Sequence, residues 1–294
     1  MIYYNFVQYG KSLLVYFGFA SLLFFISIFT FSDMVFASSQ STGVLIPLYA
    51  NPGDEWEKVI STKKIHPSVP MLVIINPNNG PMPCPRQDYV KGITDLKSVG
   101  IMTLGYVSTN YTARDYDKVI ADVNNWKMCY PNIDGIFFDE MSNISGKENY
   151  YANLTSYAKS IGFIFTVGNP GIKIPSSYVG TVDNLVIYED MGLPNLSSFE
   201  GLYDNFNKRD FSIISYDISS LDDSTIRYLS PHVGYLFITN GTLPNPFTSL
   251  PPYFDQIVEQ LDKHNQEKKV HYKEPIISKL EHRHVSIFKK FVDK

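Results

Sequence analysis

Histidine and cysteine are both scarce in this chain, and neither is placed for chemistry. Only six His occur in 294 residues, four of them from His264 onward. None stands where an apolar strand-like run ends, and His232 sits where one begins. No Ser-His-Asp or Cys-His arrangement can be assembled from them, which argues against nucleophilic triad chemistry. His282-Arg283-His284 has no third ligand at ligand spacing, so no metal site is expected there. Cysteine is limited to Cys84 and Cys129, one disulfide at most. A Gly-rich phosphate loop is missing after the first strand-like run, where Pro47-Leu48-Tyr49-Ala50-Asn51-Pro52-Gly53 stands instead. That makes a doubly wound open sheet the weaker of two α/β readings and leaves no cofactor to expect. Charge is low at 18%, with a net of −4, and nothing points to nucleic acid.

One long uncharged run is present. From Ser12 to Phe31 there is no charged residue, with Lys11 before it and Asp33 after it, a length that can span a bilayer. Val35-Phe36-Ala37 offers small residues at the positions a signal peptidase prefers. Residues 1–37 therefore read as a signal peptide cut after Ala37, or as a retained membrane anchor. Either way the remainder is expected outside the cytoplasm, with membrane contact only through an uncut N-terminal segment. Asn-x-Ser/Thr sequons at Asn110, Asn143, Asn153, Asn195 and Asn240 are compatible with export. From His264 onward eight Lys/Arg face four Asp/Glu. Residues 264–294 thus form a basic extension near +4 and leave about −8 for the rest. An acidic body of that kind would steer a substrate carrying free amines toward itself.

Between these ends one grammar repeats: apolar strand, polar or Gly/Pro exit, amphipathic segment, strand. The strands are read at Gly43–Tyr49, Met71–Ile75, Ile101–Val107, Ile133–Glu140, Phe163–Val167, Asn184–Tyr188, Phe211–Tyr216 and Val233–Thr239. Helical spacing appears at Tyr89, Ile93, Leu96 and Val99, at Val119, Val123, Trp126 and Tyr130, and at Tyr150, Leu154, Tyr157 and Ile161. A last helix is read from about Tyr253 to Lys263. Eight strands with mostly helical connections over residues 38–263, without a nested repeat or linker, predict a single (β/α)₈ barrel. In that frame Cys84 lies in a loop at one end and Cys129 near the far end of a returning helix. Two separate thiols are therefore expected.

Reactive groups of such a barrel gather where strands end. The exits are Tyr49, Asn76, Tyr106, Asp139, Glu140, Asn169, Glu189, Asp217 and Asn240. Four adjacent acidic pairs occur where about three are expected by chance. Asp54-Glu55 and Asp222-Asp223 read as helix-start acids. Asp139-Glu140 and Glu189-Asp190 end buried strands, and that position sets them apart. Carboxylates opposed across a mouth suit glycoside hydrolysis, one donating a proton and another stabilising or trapping the cationic sugar carbon. A divalent cation held by Asp139, Glu140 and Glu189 is the competing use of the same groups. Neighbours on a regular strand face opposite ways. Asp139 and Glu140 can share the mouth only if a bulge or turn breaks the strand there. The 21 Tyr and 20 Phe leave two readings open, core filler or a sugar-lined groove.

Six ordered blocks carry a resemblance: Gly43-Val-Leu-Ile-Pro-Leu-Tyr49, Ile75-Asn-Pro-Asn-Asn-Gly-Pro81, Leu104-Gly-Tyr-Val107 with Arg114 downstream, Asp134-Gly-Ile-Phe-Phe-Asp-Glu140, Val167-Gly-Asn-Pro-Gly171 and Tyr188-Glu189. Over about Gly43 to Lys263 the chain resembles the spherulation-specific family 4 (spherulin 4-like) proteins, grouped as glycoside hydrolase family 135. The resemblance implies a (β/α)₈ glycosidase. Characterised fungal members are endo-acting on α-1,4-linked N-acetylgalactosamine within galactosaminogalactan. It maps the family's catalytic acids onto Asp139, Glu140 and Glu189. By analogy with substrate-assisted glycosidases, Asp139 would orient the 2-acetamido group, Glu140 act as general acid/base and Glu189 stabilise the cation or position water. The rival is a conventional retaining pair of Glu140 and Glu189. Tyr49, Asn76, Tyr106, Asn169, Tyr188 and Asp217 are the candidates for substrate contact. A polysaccharide is the implied partner, and a non-catalytic carbohydrate-binding or cell-envelope protein on the same barrel is the alternative.

Overall fold

In the computed structural model the described residues are 41–268, apart from Pro83, Pro85 and 200–204. The N-terminal apolar run and residues 269–294 of the basic extension lie outside them. Eight strands, β1 (Gly43–Leu48), β2 (Met71–Ile75), β3 (Met102–Ser108), β4 (Gly135–Asp139), β5 (Phe165–Gly168), β6 (Asn184–Met191), β7 (Phe211–Tyr216) and β8 (Tyr235–Ile238), pair in parallel in sequence order. β8 returns to β1 through Gly43 opposite Tyr235, so the sheet closes into a (β/α)₈-type barrel. β1 and β2 are buried at every position, as a parallel sheet covered on both faces demands. That is why these strands read as unbroken apolar runs.

The helices are α1 (Asp54–Ile65), α2 (Gln87–Ser98), α3 (Tyr116–Cys129), α4 (Glu148–Ser160), α5 (Asp223–Leu229) and α6, over 254–268. Among the described residues the β5–β6 and β6–β7 connections hold only 3₁₀ turns. Asp54 opens α1, and Asp222 caps α5 by accepting from the Ser224 N–H at 2.8 Å, so both acidic pairs are helix-start groups. The last helix runs five residues past Lys263.

Packing explains the residue choice within the Leu104-Gly-Tyr-Val107 block. A Cβ on Gly105 would stand 2.5 Å from the Trp126 ring, so α3 docks on β3 at the one position without a side chain. The Trp126 indole N–H also donates to the Tyr106 carbonyl at 2.8 Å. With residue 105 facing the helix, Tyr106 faces the barrel interior and its mouth. At the opposite end two acids clamp neighbouring strands in the same way. Asp134 accepts from the Thr103 N–H at 3.0 Å and pairs with Lys97 at 2.6 Å. Asp183 accepts from the Thr166 N–H at 2.8 Å and pairs with Lys159 at 2.6 Å.

One expectation is refined and one is corrected. On α4 the fully buried face is Tyr151, Leu154, Thr155 and Ala158; of the expected stripe Leu154 lies on it, while Tyr150, Tyr157 and Ile161 pack half-buried against the same core. Tyr151 can be buried because its hydroxyl has partners, accepting from the Ser142 N–H at 2.7 Å and lying 3.2 Å from the Thr109 hydroxyl. The cysteines are not separate thiols: Cys84 and Cys129 form a disulfide with Cα atoms 5.0 Å apart. The β2–α2 connection does not stay at the mouth. Gly80 lies beside Asp122, and Cys84 meets α3 seven residues, two turns, further along.

Candidate active site

The apolar run of β4 ends at Asp139, opposite Ser108 at the end of β3. The next residue leaves strand geometry: Glu140 has φ 53°, a left-handed turn rather than a bulge. That turn resolves how adjacent acids share one mouth. The Thr109 N–H donates to the Asp139 carbonyl at 3.0 Å. The Thr109 hydroxyl donates between the carbonyls of Asp139 (3.0 Å) and Glu140 (2.9 Å). Tyr111 N–H closes the Glu140 carbonyl at 2.7 Å. With its backbone so held, Glu140 accepts a hydrogen bond from the Ser108 hydroxyl.

Asp139 is half-buried and has both oxygens engaged. Tyr106 donates to one at 2.7 Å and the Asn169 side-chain amide to the other at 2.7 Å. The same amide nitrogen donates to Glu189. Two oxygens sharing one nitrogen at such distances stand no more than about 5 Å apart. Asn169 is itself placed from both sides, its N–H donating to the Phe138 carbonyl at 2.8 Å and its carbonyl accepting from the Met141 N–H at 2.9 Å. Its side-chain Oδ1 is buried with no hydrogen-bond partner among the described residues.

Glu189 faces this centre because β6 carries an irregularity. The β6–β7 register pairs Val186 with Ser212 and then Tyr188 with Ile213, so Ile187 is an extra residue. Ile187 lines one cavity together with Phe211 and Ile213, the β7 residues that point away from the barrel interior. Regular alternation from Ile187 would send Glu189 outward as well. The bulge reverses the phase. Tyr188 consequently turns away from the carboxylates, its hydroxyl donating to the Met191 carbonyl at 3.0 Å.

Burial, then the charge of Asp139, pushes the Glu189 carboxyl up to about 7, against the hydrogen bond from Asn169. Asp139 is raised too, chiefly by burial, with Tyr106, the Glu140 N–H and Asn169 pulling the other way. Desolvation and the Asp139 carboxylate hold the Tyr106 phenol well above its usual range, so it remains a donor. Tyr49 is raised by burial and by Asp139 and Glu189. Its ring stands edge-on to Tyr106 with centroids 6.2 Å apart.

Of the sequence candidates, Tyr49, Tyr106, Asp139, Glu140, Asn169 and Glu189 converge on one mouth. Asn76 spends its Oδ1 on the Gly80 N–H at 3.1 Å, closing its own turn. Asp217 is exposed just past β7 in a left-handed conformation, φ 58°, its N–H donating to the Gly241 carbonyl at 2.8 Å. Ser108 and Tyr111 are the residues that sequence reasoning misses. Ser108 lies one position beyond the expected end of β3. Arg114, conspicuous in its block, anchors the loop by donating to the Ser108 carbonyl at 2.9 Å and pairing with Asp122 at 2.6 Å.

The model of spherulation-specific family 4 matches residues 43–261 of this chain. The chain belongs to that family. Spherulin-4 of Physarum polycephalum is 30% identical to it over 246 residues, 79% of this chain and 73% of that protein. The solved structure of Aspergillus clavatus Sph3 in complex with GalNAc is similar with a TM-score of 0.66 at 26% identity, covering 76% of this chain and 99% of Sph3. In this spherulation-specific family 4 barrel, all three carboxylates singled out by the motif blocks stand at the C-terminal ends of β4 and β6, where barrel sites form.

Proposed function

We propose that this protein is an exported retaining glycoside hydrolase that cuts internally in α-1,4-linked N-acetylgalactosamine or galactosamine polymers. The observation that carries this reading is the single Asn169 amide joining Asp139 and Glu189 at the barrel mouth. Carboxylate oxygens within about 5 Å fit the retaining class, since an inverting pair needs a wider gap to admit water. Family membership and the GalNAc held by Sph3 support an amino-sugar substrate. The Cys84–Cys129 disulfide supports an oxidising compartment outside the cytoplasm.

The electrostatics favour Glu189 as the general acid/base. A carboxyl raised to about 7 still holds a proton near neutrality and is matched to proton transfer there. An α-linked leaving oxygen is cis to the 2-acetamido group, which therefore cannot attack from the opposite face. Asp139, steadied by Tyr106 and Asn169, acts as the nucleophile, bonding to the anomeric carbon as the leaving oxygen takes the Glu189 proton, and water activated by Glu189 then releases the sugar. Glu140, fixed by Ser108, faces the developing positive charge. The Asn169 nitrogen occupies the space between Asp139 and Glu189 that a bridging cation would need, so chelation by EDTA is expected to leave activity intact.

The assignment of the acid/base to Glu140, by analogy with adjacent Asp-Glu pairs, is the second reading. Leaving-group dependence separates the two. On an aryl α-N-acetylgalactosaminide with an acidic phenol, losing the general acid costs little, whereas losing the group that handles the cation costs much. Glu189→Gln should therefore retain most of kcat/KM, which reports the first step, on the activated aryl glycoside while losing at least about a hundredfold in kcat/KM on polymer. If Glu140→Gln shows that pattern instead, the roles reverse. Binding of the polymer without release of reducing ends by wild-type protein would return the non-catalytic alternative.

A further inference from the structure

The loop from β3 to α3 takes a conformation that is costly for its residues. Asn110, Tyr111 and Thr112 have φ of 45°, 54° and 73°, three consecutive left-handed residues in one short turn. Asn tolerates this conformation, but an aromatic and a β-branched residue rarely adopt it. The turn is nevertheless fixed. Thr112 N–H donates to the Thr109 carbonyl at 3.1 Å, Ala113 N–H to Asn110 at 2.8 Å, and Tyr111 N–H to Glu140 at 2.7 Å. Backbone held in such regions clusters at ligand clamps, where the surroundings over-determine it. What it holds here is the Tyr111 side chain, 58% exposed, at the mouth and attached through its backbone to Glu140. More than half of the residue lies open to solvent, so the ring is not packing filler.

We propose that Tyr111 is the stacking platform for a galacto-configured pyranose, and that the left-handed turn exists to hold its ring over the mouth. This rests on the glycosidase reading above and extends it to a residue outside the family's motif blocks. A galacto-configured ring presents its C3, C4 and C5 hydrogens together on one face, and that face suits a flat aromatic surface. Its hydroxyls stay free for the polar rim. The Tyr111 phenol is raised, first by desolvation and then by the charges of Glu140, Asp139 and Glu189, which agrees with a position beside all three. A deacetylated unit would add an ammonium attracted to the same ring.

The test is steady-state hydrolysis of a defined α-1,4-linked N-acetylgalactosamine hexamer by wild type, Tyr111→Phe, Tyr111→Leu and Tyr111→Ala, with thermal midpoints measured in parallel. Tyr111→Phe keeps the face and should stay within about twofold of wild type in KM. Tyr111→Ala uncovers one sugar face and should raise KM about tenfold to fiftyfold with little change in kcat. Tyr111→Leu keeps comparable volume without a flat surface and should fall with Ala. An unchanged KM for Tyr111→Ala overturns the platform and leaves the glycosidase reading standing. A loss confined to kcat also overturns it, because it would show a role in holding Glu140. If wild type neither binds nor cuts the hexamer, the glycosidase reading fails and the platform with it.

Discussion

Replacing Glu189 by Gln should stabilise the protein, and more so as pH rises. The carboxyl ordinarily titrates near 4.5 and is pushed up to about 7 in the folded chain. A raised carboxyl means that the folded state holds its proton more tightly than the unfolded state. Between about pH 4.5 and 7 the unfolded chain loses that proton first, so wild-type stability falls as pH rises through this window and stays low above it. At 1.36 kcal/mol per unit, the penalty grows by about 2 to 3 kcal/mol from pH 5 to pH 8. The substituted amide cannot ionise and escapes this slope, while its Oε1 can still accept from Asn169. Any pH-independent cost of the exchange is the same at both pH values and cancels in the comparison. The assay is thermal or urea unfolding of both proteins at pH 5 and pH 8 with the disulfide intact. For a domain of this size the variant should gain roughly 4–10 °C on wild type between the two conditions. An equal difference at both pH values, or a variant losing ground at pH 8, would refute the half-buried, charge-coupled Glu189.

The same carboxyl should set the alkaline limb of kcat/KM. Activity should decline about tenfold per pH unit above roughly 7 as the proton is lost, and a profile flat to pH 9 would contradict Glu189 as the acid. Breaking the Cys84–Cys129 link with Cys84→Ser should lower stability by about 2–4 kcal/mol, given the 45 residues it spans. Dithiothreitol should shift the wild-type midpoint likewise and the variant's hardly at all. Gly105→Ala drives a methyl into the Trp126 ring, 2.5 Å away, and should cost about 1–3 kcal/mol, read as a lower urea midpoint.

Much of the barrel is legible in the sequence because a parallel sheet buried on both faces leaves apolar runs, punctuated by turn residues where each strand ends. Asp139 and Glu140 stand out because acids closing such a run cannot be core. Glu189 is found by position alone, since nothing in Asn184–Met191 announces the extra residue at Ile187. The same bulge explains why Tyr188, a rim residue by its place at a strand end, faces away. Asn76 closes its own turn through Oδ1, a use that its place at a strand exit does not announce. The disulfide escapes sequence reasoning because the route of the β2–α2 connection along α3 is a matter of packing, which spacing does not encode. Tyr111 stays hidden behind a left-handed turn whose only local sign is Asn110, one residue that tolerates it beside two that do not.

Cleavage of a defined α-1,4-linked N-acetylgalactosamine oligomer, followed by NMR as it occurs, distinguishes retention from inversion and from binding without turnover. The retaining reading predicts internal cuts whose new reducing ends appear first as the α-anomer and only later equilibrate, with Asp139→Asn and Glu189→Gln each suppressing the signal. New ends appearing first as the β-anomer, or no cleavage by wild-type protein that binds the oligomer, would contradict it.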